Sequence, residues 1–456
     1  MARVLGVMAF ALLLSMDVAI GRTQPACPSG ARLTVPGAAR QQVTCLDDLT
    51  TAALVGTEFT DPADFAGLHA AATENPAGVP GIQIDGYFPD TSTFNTNHGW
   101  NHDAQFVIRL PDEWNGKLVV TGAPGVRKQY SLDVLISDWV LARGYIFAAT
   151  DKGNSGANFF RDSREPGDAV AEWHTRVTEL TRAAKDVSRQ RYGREPDRTY
   201  VTGVSNGGYL TRYALEQQPE LYDGGVDWEG ALFRAEGPNL LTYLPATLRH
   251  YPAFRDTGDR AAHASLLDAG FAPGSEFLWD FHYRTYWDLT QRIYRKAFDP
   301  TWDGLPPDTA GVPFCASGTP GCDADYDYAS RPQAVKEAIA RVSLSGAIGK
   351  PMLTLHGTLD SLLPIRTDSD VYAELIAAAG HADIHRYYVV EDGNHVDGLY
   401  DQFPDRLRPM LPCYRAAFEA LEAWVEGAVE PPSSGLLPRP SAGDLVNTCS
   451  LETVAR

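Results

Sequence analysis

The organisation of this chain follows from residues Thr199–Gly208, which read TYVTGVSNGG. Residues 198–202 are rich in β-branched and aromatic side chains and favour a strand, whereas residues 209–216 favour a helix. A strand, a sharp turn and a helix are the context in which G-x-S-x-G makes its serine a nucleophile. Small residues are needed two positions either side of that serine, and Gly203 and Gly207 supply them. We therefore predict Ser205 as the nucleophile; the alternative is a Gly-rich surface turn.

A serine hydroxyl needs a general base, and the base needs an acid that orients it. Two later segments supply both in the order that this strand–turn–helix context requires, serine, then acid, then histidine. Residues 350–357 have the pattern of a buried strand and are followed by Asp360, and residues 384–390 form a second strand before His395. Ligand sites in open parallel sheets gather beyond the carboxyl ends of strands. The sequence thus predicts a triad of Ser205, His395 and Asp360.

An oxyanion hole is predicted from two backbone N–H groups. Asn206 follows the nucleophile and supplies one of them. The other is assigned to the small-residue loop that begins with Gly122 and Ala123, after the strand at 117–121. A glycine there lets the backbone approach the oxyanion closely, and each donor is worth roughly 3 kcal/mol of transition-state stabilisation. The alternative for this loop is a plain hairpin-like turn.

Strand and helix patterns alternate between residues 105 and 231, stop, and resume at residue 350. This predicts an α/β fold with a mostly parallel central sheet flanked by helices and a lid inserted between strands 6 and 7 of the sheet. The predicted divisions are a signal peptide at 1–21, an N-terminal extension at 22–104, a core at 105–231 and 350–430, a lid or cap insertion at 232–349, and an irregular tail at 431–456.

The insertion at 232–349 is rich in aromatic and proline residues. Phe277, Phe281 and Trp287 fall at helical or nearly helical spacing, so one helix face is expected to be apolar. We predict that these three side chains line an apolar substrate pocket. The alternative is that they form the hydrophobic core of the insertion itself.

The 456 residues carry a formal net charge of −19, which argues against a nucleic-acid or anionic-membrane partner because either would be repelled. Residues 1–21 combine an early positive charge, an apolar run and small residues before the expected cleavage point, which predicts a cleaved signal peptide and a secreted protein, extracellular or periplasmic. No cofactor and no metal ion are predicted. The acidic cluster at 323, 325 and 327 is interpreted as a solvated turn, with calcium binding left open.

Six cysteines follow the expected cleavage point, an even number that suggests three disulfides in an exported chain. Fifteen pairings are possible in principle. We predict that sequence neighbours are joined, in the pairs Cys27–Cys45, Cys315–Cys322 and Cys413–Cys449.

The assembled pattern resembles the α/β-hydrolase superfamily over residues 105–426. The run 203–208 and the loop 149–153 look like those of hydroxybutyrate-oligomer hydrolases, whereas the run 356–360, the loop 393–395 and the lid position look like the tannase and feruloyl esterase family. That family typically carries a disulfide-linked cysteine beside the nucleophile and another beside the histidine. Here Val204, Asn394 and Val396 stand at those places.

The resemblance implies a secreted serine carboxylic-ester hydrolase that works through an acyl-enzyme. Its substrates would be 3-hydroxybutyrate-type oligomers or aromatic esters of the tannase and feruloyl type, and its partner a small or oligomeric ester. Two alternatives stay open, a peptidase of the same fold and a hydrolase-fold binding module without catalysis. Neither the acyl and alcohol specificity nor the oligomeric state follows from the sequence.

Overall fold

The computed structural model describes residues 33–302 and 323–456. Ten strands build one sheet, and two short strands form a separate hairpin. The strands are β1 (Arg40–Leu46), β2 (Gly81–Tyr87), β3 (Thr96–Asn97), β4 (Trp100–Asn101), β5 (Gln105–Pro111), β6 (Lys117–Gly122), β7 (Ile146–Thr150), β8 (Arg198–Val204), β9 (Gly224–Trp228), β10 (Met352–Gly357), β11 (His385–Val390) and β12 (Gly435–Leu437).

The order in the large sheet is β1-β2-β5-β7-β6-β8-β9-β10-β11-β12. The first three pairs, β1 with β2, β2 with β5 and β5 with β7, are antiparallel, and all later pairs are parallel. Every residue of β7 and β9 is buried, as expected for parallel strands that are covered on both faces. The predicted fold class, a mostly parallel sheet with flanking helices, is confirmed.

Both ends of the described chain contribute more to this sheet than the sequence suggested. The extension predicted at 22–104 supplies two seven-residue strands, β1 and β2, to the antiparallel edge. The tail predicted as irregular supplies β12, which pairs parallel with β11. The prediction of an irregular tail is therefore wrong at Gly435–Leu437, where main-chain pairing with an exposed sheet edge decides the conformation.

Helices cover both faces of the sheet. One apolar cluster contains Trp173 and Leu210, and a second contains Leu141 and Phe418. The α-helices are α1 (Thr51–Leu54), α2 (Pro62–Phe65), α3 (Asp138–Leu141), α4 (Asp168–Tyr192), α5 (Asn206–Gln217), α6 (Leu240–Thr257), α7 (Arg260–Asp268), α8 (Glu276–His282), α9 (Asp288–Phe298), α10 (Gln333–Ala340), α11 (Ser369–Ala378) and α12 (Leu411–Gly427). One π-helical turn, Asp133–Ser137, leads into α3, and another, Tyr283–Trp287, joins α8 to α9.

The chain between β9 and β10 contains α6–α10, and we call residues 232–349 the cap insertion. Helix α6 begins at a capping box, in which the Thr242 hydroxyl oxygen accepts from the Asn239 N–H (3.2 Å), and the Asn239 side chain also accepts from the Leu241 N–H (3.0 Å). The π-helical turn between α8 and α9 ends at Trp287, whose Nε1–H donates to the Ser361 carbonyl oxygen (2.7 Å). This bond ties the cap insertion to the residue that follows Asp360.

The structure tests the cysteine pairing only in part. Cys413 and Cys449 form a disulfide, as predicted. Cys45 is also disulfide-bonded. The other three cysteines, Cys27, Cys315 and Cys322, lie outside the described residues, as does the predicted signal peptide.

One residue of the acidic cluster, Asp323, differs from the solvated turn that the sequence suggested, whereas Asp327 is exposed. Asp323 is buried and accepts from Arg295 Nε–H (2.9 Å) and Nη2–H (3.1 Å). An arginine therefore balances the charge of this aspartate. Among the described residues, no helix has the length and apolar character needed to span a membrane.

Candidate active site

Ser205 lies at the sharp turn between β8 and α5. Its backbone has φ 58° and ψ −117°, a left-handed conformation that is strained for any residue other than glycine. Two close contacts explain the glycines around it. A Cβ at Gly203 would lie 2.5 Å from the Gly207 carbonyl carbon, and a Cβ at Gly207 would lie 2.4 Å from the Gly122 oxygen. The turn can therefore close only with glycine at these two positions.

His395 is oriented by Asp360. The imidazole Nδ1 and the Asp360 Oδ2 are 2.7 Å apart. The other oxygen of Asp360, Oδ1, accepts from the Leu362 N–H (2.7 Å) and the Leu363 N–H (2.9 Å). Both side chains are buried, and each favours the charged form of the other. Burial acts to raise the pKa of Asp360, but the two imidazoles beside it hold that pKa below its usual range. Burial acts to lower the pKa of His395, but the Asp360 carboxylate raises it well above 6.5.

The loops that carry Asp360 and His395 are in direct backbone contact. A Cβ at Gly357 would lie 2.3 Å from the Gly393 carbonyl carbon, so no side chain fits between the two loops. The Leu359 N–H donates to the Gly393 oxygen (2.8 Å) and closes the same contact. This main-chain clamp fixes the distance between the acid and the base.

Ser205 and His395 line one cavity of ≈ 560 Å³. Most of its other lining side chains are apolar, among them Leu240, Leu289 and Ile293 of the cap insertion. Within the described residues, no hydrogen bond joins the Ser205 hydroxyl to His395. Such bonds are often long in a free enzyme and shorten when substrate binds.

The structure agrees with one of the two predicted oxyanion donors, the Asn206 N–H, but not with the one in the Gly122–Ala123 loop. Asn206 is the first residue of α5 and lines the cavity, so its N–H belongs to the helix N-terminus that faces developing negative charge. The Ala123 N–H instead donates to the Thr150 carbonyl (2.9 Å), which extends the pairing of β6 with β7 beyond Gly122. Neither Gly122 nor Ala123 lines the cavity, whereas Gly125 does.

Comparison with known proteins agrees with this geometry. The sequence model of the family described as tannase and feruloyl esterase matches residues 91–228. Feruloyl esterase B from Aspergillus oryzae superposes with a TM-score of 0.51 at 15% identity, over 88% of this chain and 90% of that one. The resemblance to α/β-hydrolase esterases is confirmed.

Two further proteins are similar to this chain. Another esterase from Aspergillus oryzae has a TM-score of 0.51 at 12% identity, over 87% of this chain and 88% of that one. Mono(2-hydroxyethyl) terephthalate hydrolase from Piscinibacter sakaiensis is 27% identical in an alignment over 172 residues that covers 34% of this chain. The match spans only 28% of the length of that hydrolase.

The three aromatic residues predicted to bind substrate occupy different environments in the structure. Phe281 lines the cavity and is 39% exposed. Trp287 is fully buried in the core of the cap insertion, against Tyr251 and Phe271. Phe277 packs edge-on against Phe403 and does not line the cavity. The prediction of a pocket-lining role is therefore wrong for Phe277 and Trp287, because helical spacing does not say which face of a helix meets the cavity.

Four side chains at the site were not singled out from the sequence for this role. Tyr294 of α9 holds the Asn206 amide: its hydroxyl accepts from Nδ2–H (2.6 Å) and donates to Oδ1 (2.9 Å). The same Nδ2 donates to the Gly125 carbonyl oxygen (2.9 Å). His282 also lines the cavity, and burial lowers its pKa to about 3, so it stays neutral.

The other two side chains, Glu229 and His356, stand beside the predicted acid. Glu229 Oε2 lies 3.2 Å from His395 Nδ1, and Glu229 Oε1 accepts from the Gly357 N–H (2.5 Å). His356 Nε2 lies 3.2 Å from Asp360 Oδ2. Glu229 directly follows β9, and His356 is the next-to-last residue of β10. Such strand-end positions are the only signal that sequence reasoning could have used.

Glu229, His356 and Asp360 each place one possible ligand atom within 4.8 Å of the others, so a metal ion has to be considered. The imidazole nitrogens are already engaged, Nδ1 with Ser369 Oγ (2.7 Å) and Nε2 with the Leu363 carbonyl (2.9 Å). Both oxygens of Asp360 are also engaged by hydrogen bonds. The donor set therefore fits a hydrogen-bonded cluster, and we assign no metal to it.

Proposed function

We propose that this protein hydrolyses carboxylic esters through an acyl-enzyme formed on Ser205. His395 takes the proton from the Ser205 hydroxyl as the oxygen attacks the ester carbonyl, and returns it to the departing alkoxide. Asp360 keeps the imidazole in the tautomer that accepts this proton and stabilises the imidazolium. A water molecule then attacks the acyl-enzyme with His395 as the base, which releases the acid and restores Ser205.

The observation that carries this proposal is the placement of a strained serine and a carboxylate-bound histidine on the wall of one apolar cavity. A surface turn has no reason to hold a serine at positive φ beside such a pair. The family match at residues 91–228 and the similarity to esterases point to the same chemistry. The oxyanion is then bound by the Asn206 N–H. The Gly125 N–H is the partner that we propose in place of Ala123.

The substrates that we propose are esters with an apolar acyl or alcohol group, either 3-hydroxybutyrate-type oligomers or aromatic esters of the tannase and feruloyl type. The apolar walls and the volume of ≈ 560 Å³ fit groups of this size. We further propose that the protein is secreted after cleavage near residue 21.

A phosphonate probe for active-site serines, followed by peptide mapping, tests the nucleophile. We expect one label, on Ser205, and loss of ester hydrolysis in proportion to labelling. The substrate is then identified with hydroxybutyrate oligomers, methyl gallate, methyl ferulate and nitrophenyl esters of increasing acyl length. No labelling and no hydrolysis of any of these esters would favour the binding module, and cleavage of peptides alone would favour the peptidase.

A further inference from the structure

Two carboxyl groups, not one, adjoin His395 Nδ1. Asp360 Oδ2 lies 2.7 Å from it, and Glu229 Oε2 lies 3.2 Å from it. Glu229 is fully buried, and its Oε2 has no hydrogen-bond partner within the described residues. Because a buried carboxyl oxygen without a hydrogen-bond partner destabilises the folded state, its presence at this place calls for a role.

The backbone holds Glu229 in this position. It follows β9 directly and has φ 49°, a left-handed conformation that is uncommon for a glutamate. Its N–H donates to the Leu355 carbonyl (2.9 Å), and the Gly357 N–H donates to its Oε1 (2.5 Å). Both contacts are with β10, the strand that leads to Asp360. These main-chain contacts hold Glu229 in place, and its second carboxyl oxygen, Oε2, faces the His395 imidazole.

We propose that Glu229 is a second acid of the catalytic site, which accepts the hydrogen bond from His395 Nδ1–H when Asp360 does not. This inference rests on the proposed esterase function. In it Glu229 is a positioning residue that acts through His395, since it does not touch the reacting atoms. With Asp360 ionised, Glu229 is kept mostly protonated and leaves the Nδ1–H of His395 to Asp360. With the Asp360 charge removed, Glu229 takes over the bond that sets the tautomer.

The charges around Glu229 explain why the two acids alternate. Burial first and the Asp360 carboxylate second raise the pKa of Glu229 to about 8, so that at neutral pH it is mostly protonated beside an ionised Asp360. Removing the Asp360 charge removes the second cause and lets Glu229 ionise more readily. The charged or titratable groups that face the pair are His356 and Asp368 on the β10 side, with His282 and Tyr243 on the side of the cap insertion.

The test is a cycle of Asp360→Asn, Glu229→Gln and the double variant, with kcat/KM measured on a nitrophenyl ester. Loss of the triad acid costs about 10⁴-fold in a serine protease. Here we expect Asp360→Asn alone to cost about 10²-fold and the double variant about 10⁴-fold. Glu229→Gln should cost less than about 10-fold when Asp360 is present. Glutamine keeps the shape and the acceptor for the Gly357 N–H, so folding is preserved.

Glu172→Gln is the matched control. Glu172 is a partly buried glutamate with a pKa also raised to about 8, but it lies on helix α4, where it contacts Asn154 and Arg176. Glu172→Gln should have the same small effect on kcat/KM in the wild-type enzyme and in the Asp360→Asn variant. An equal effect of Glu229→Gln in both backgrounds would overturn the proposal.

The pH profile gives an independent readout if the double variant does not fold. As it ionises, Glu229 contributes to raising the pKa of His395, so Glu229→Gln should move the ascending limb of kcat/KM to lower pH, and Glu172→Gln should not. An unmoved limb would count against Glu229. Ser205→Ala distinguishes failure of the proposed esterase mechanism from failure of the proposed role of Glu229. If Ser205→Ala retains activity, the esterase mechanism itself is wrong. If it is inactive while the cycle is additive, only the role of Glu229 is wrong.

Discussion

Two aromatic residues of the cap insertion, only six positions apart, are expected to have opposite effects when replaced by alanine. Trp287 is fully buried and bonded to the Ser361 carbonyl, so Trp287→Ala should lower the free energy of unfolding by roughly 3–5 kcal/mol. Phe281 is 39% exposed, so only part of the ~1.5–3 kcal/mol available from burying a phenylalanine is lost. We expect about 1–2 kcal/mol for Phe281→Ala.

The effect on substrate choice should be reversed. Phe281 lines the cavity, and one apolar contact of this kind discriminates substrates by about 10- to 200-fold. Phe281→Ala should therefore change the ratio of kcat/KM between long and short acyl groups by at least about 10-fold. Trp287→Ala should lower all values by one common factor, set by the folded fraction.

Equilibrium unfolding in urea and kcat/KM on nitrophenyl esters of increasing acyl length measure the two effects separately. Phe277→Ala is the control, since Phe277 belongs to the same insertion but packs against Phe403 outside the cavity. It should not change the ranking of substrates. The reasoning is refuted if Phe281→Ala leaves the ranking unchanged, or if Trp287→Ala alters the ranking without loss of stability. Trp287→Phe replaces Trp287→Ala if the latter does not fold.

Further predictions concern the triad, its oxyanion loop and its geometry. Ser205→Ala and His395→Ala should each lower kcat by several orders of magnitude, and the double variant should be scarcely worse, because the residues act as a unit. Since only the neutral imidazole is a base and its pKa is raised, kcat/KM of the wild type should rise with pH along a limb that lies above pH 6.5. Tyr294→Phe removes the hydroxyl that holds the residue after the nucleophile and should lower kcat about 10-fold with KM little changed, whereas an equal rise in KM would argue against it. Gly357→Ala should lower kcat at least about 10²-fold by moving the base, and Gly427→Ala, where a Cβ finds space, should not; full activity of a folded Gly357→Ala enzyme would contradict the clamp.

The sequence predicts most of the sheet and the three positions of the triad because these depend on local signals. Alternating strand and helix patterns mark the parallel core, and a glycine-flanked serine marks the turn after β8. The carboxyl ends of parallel strands share one edge, so Asp360 and His395 follow without knowledge of contacts. The triad roles themselves stay predictions until the variants are measured.

The rest of the site depends on long-range packing, which local patterns do not contain. Tyr294 reaches Asn206 across 88 positions, and Glu229 reaches the Gly357 N–H across 128 positions. Both contacts exist only because the cap insertion and β10 return to the same sheet edge. For the same reason the sequence assigned Ala123 to the oxyanion hole, since it could not show that β7 takes up this N–H through Thr150.

The site also shows how the histidine loop is held without a covalent link. The resembled family typically joins cysteines beside its serine and histidine, whereas this chain has Val204 at the first place and Asn394 and Val396 around the second. A disulfide limits the separation of two loops mainly by restricting the chain. The contact between Gly357 and Gly393 limits the separation of the two loops sterically, and the hydrogen bond from the Leu359 N–H adds direction to that contact.

Since this clamp links the histidine loop to the acid loop and not to the serine turn, the position of the base is tied to Asp360 and to Glu229. The serine turn is then free to be positioned by the Asn206–Tyr294 contact with the cap insertion. Activity should therefore respond to changes in the cap insertion through the oxyanion side of the site, and to changes in β9 and β10 through the base.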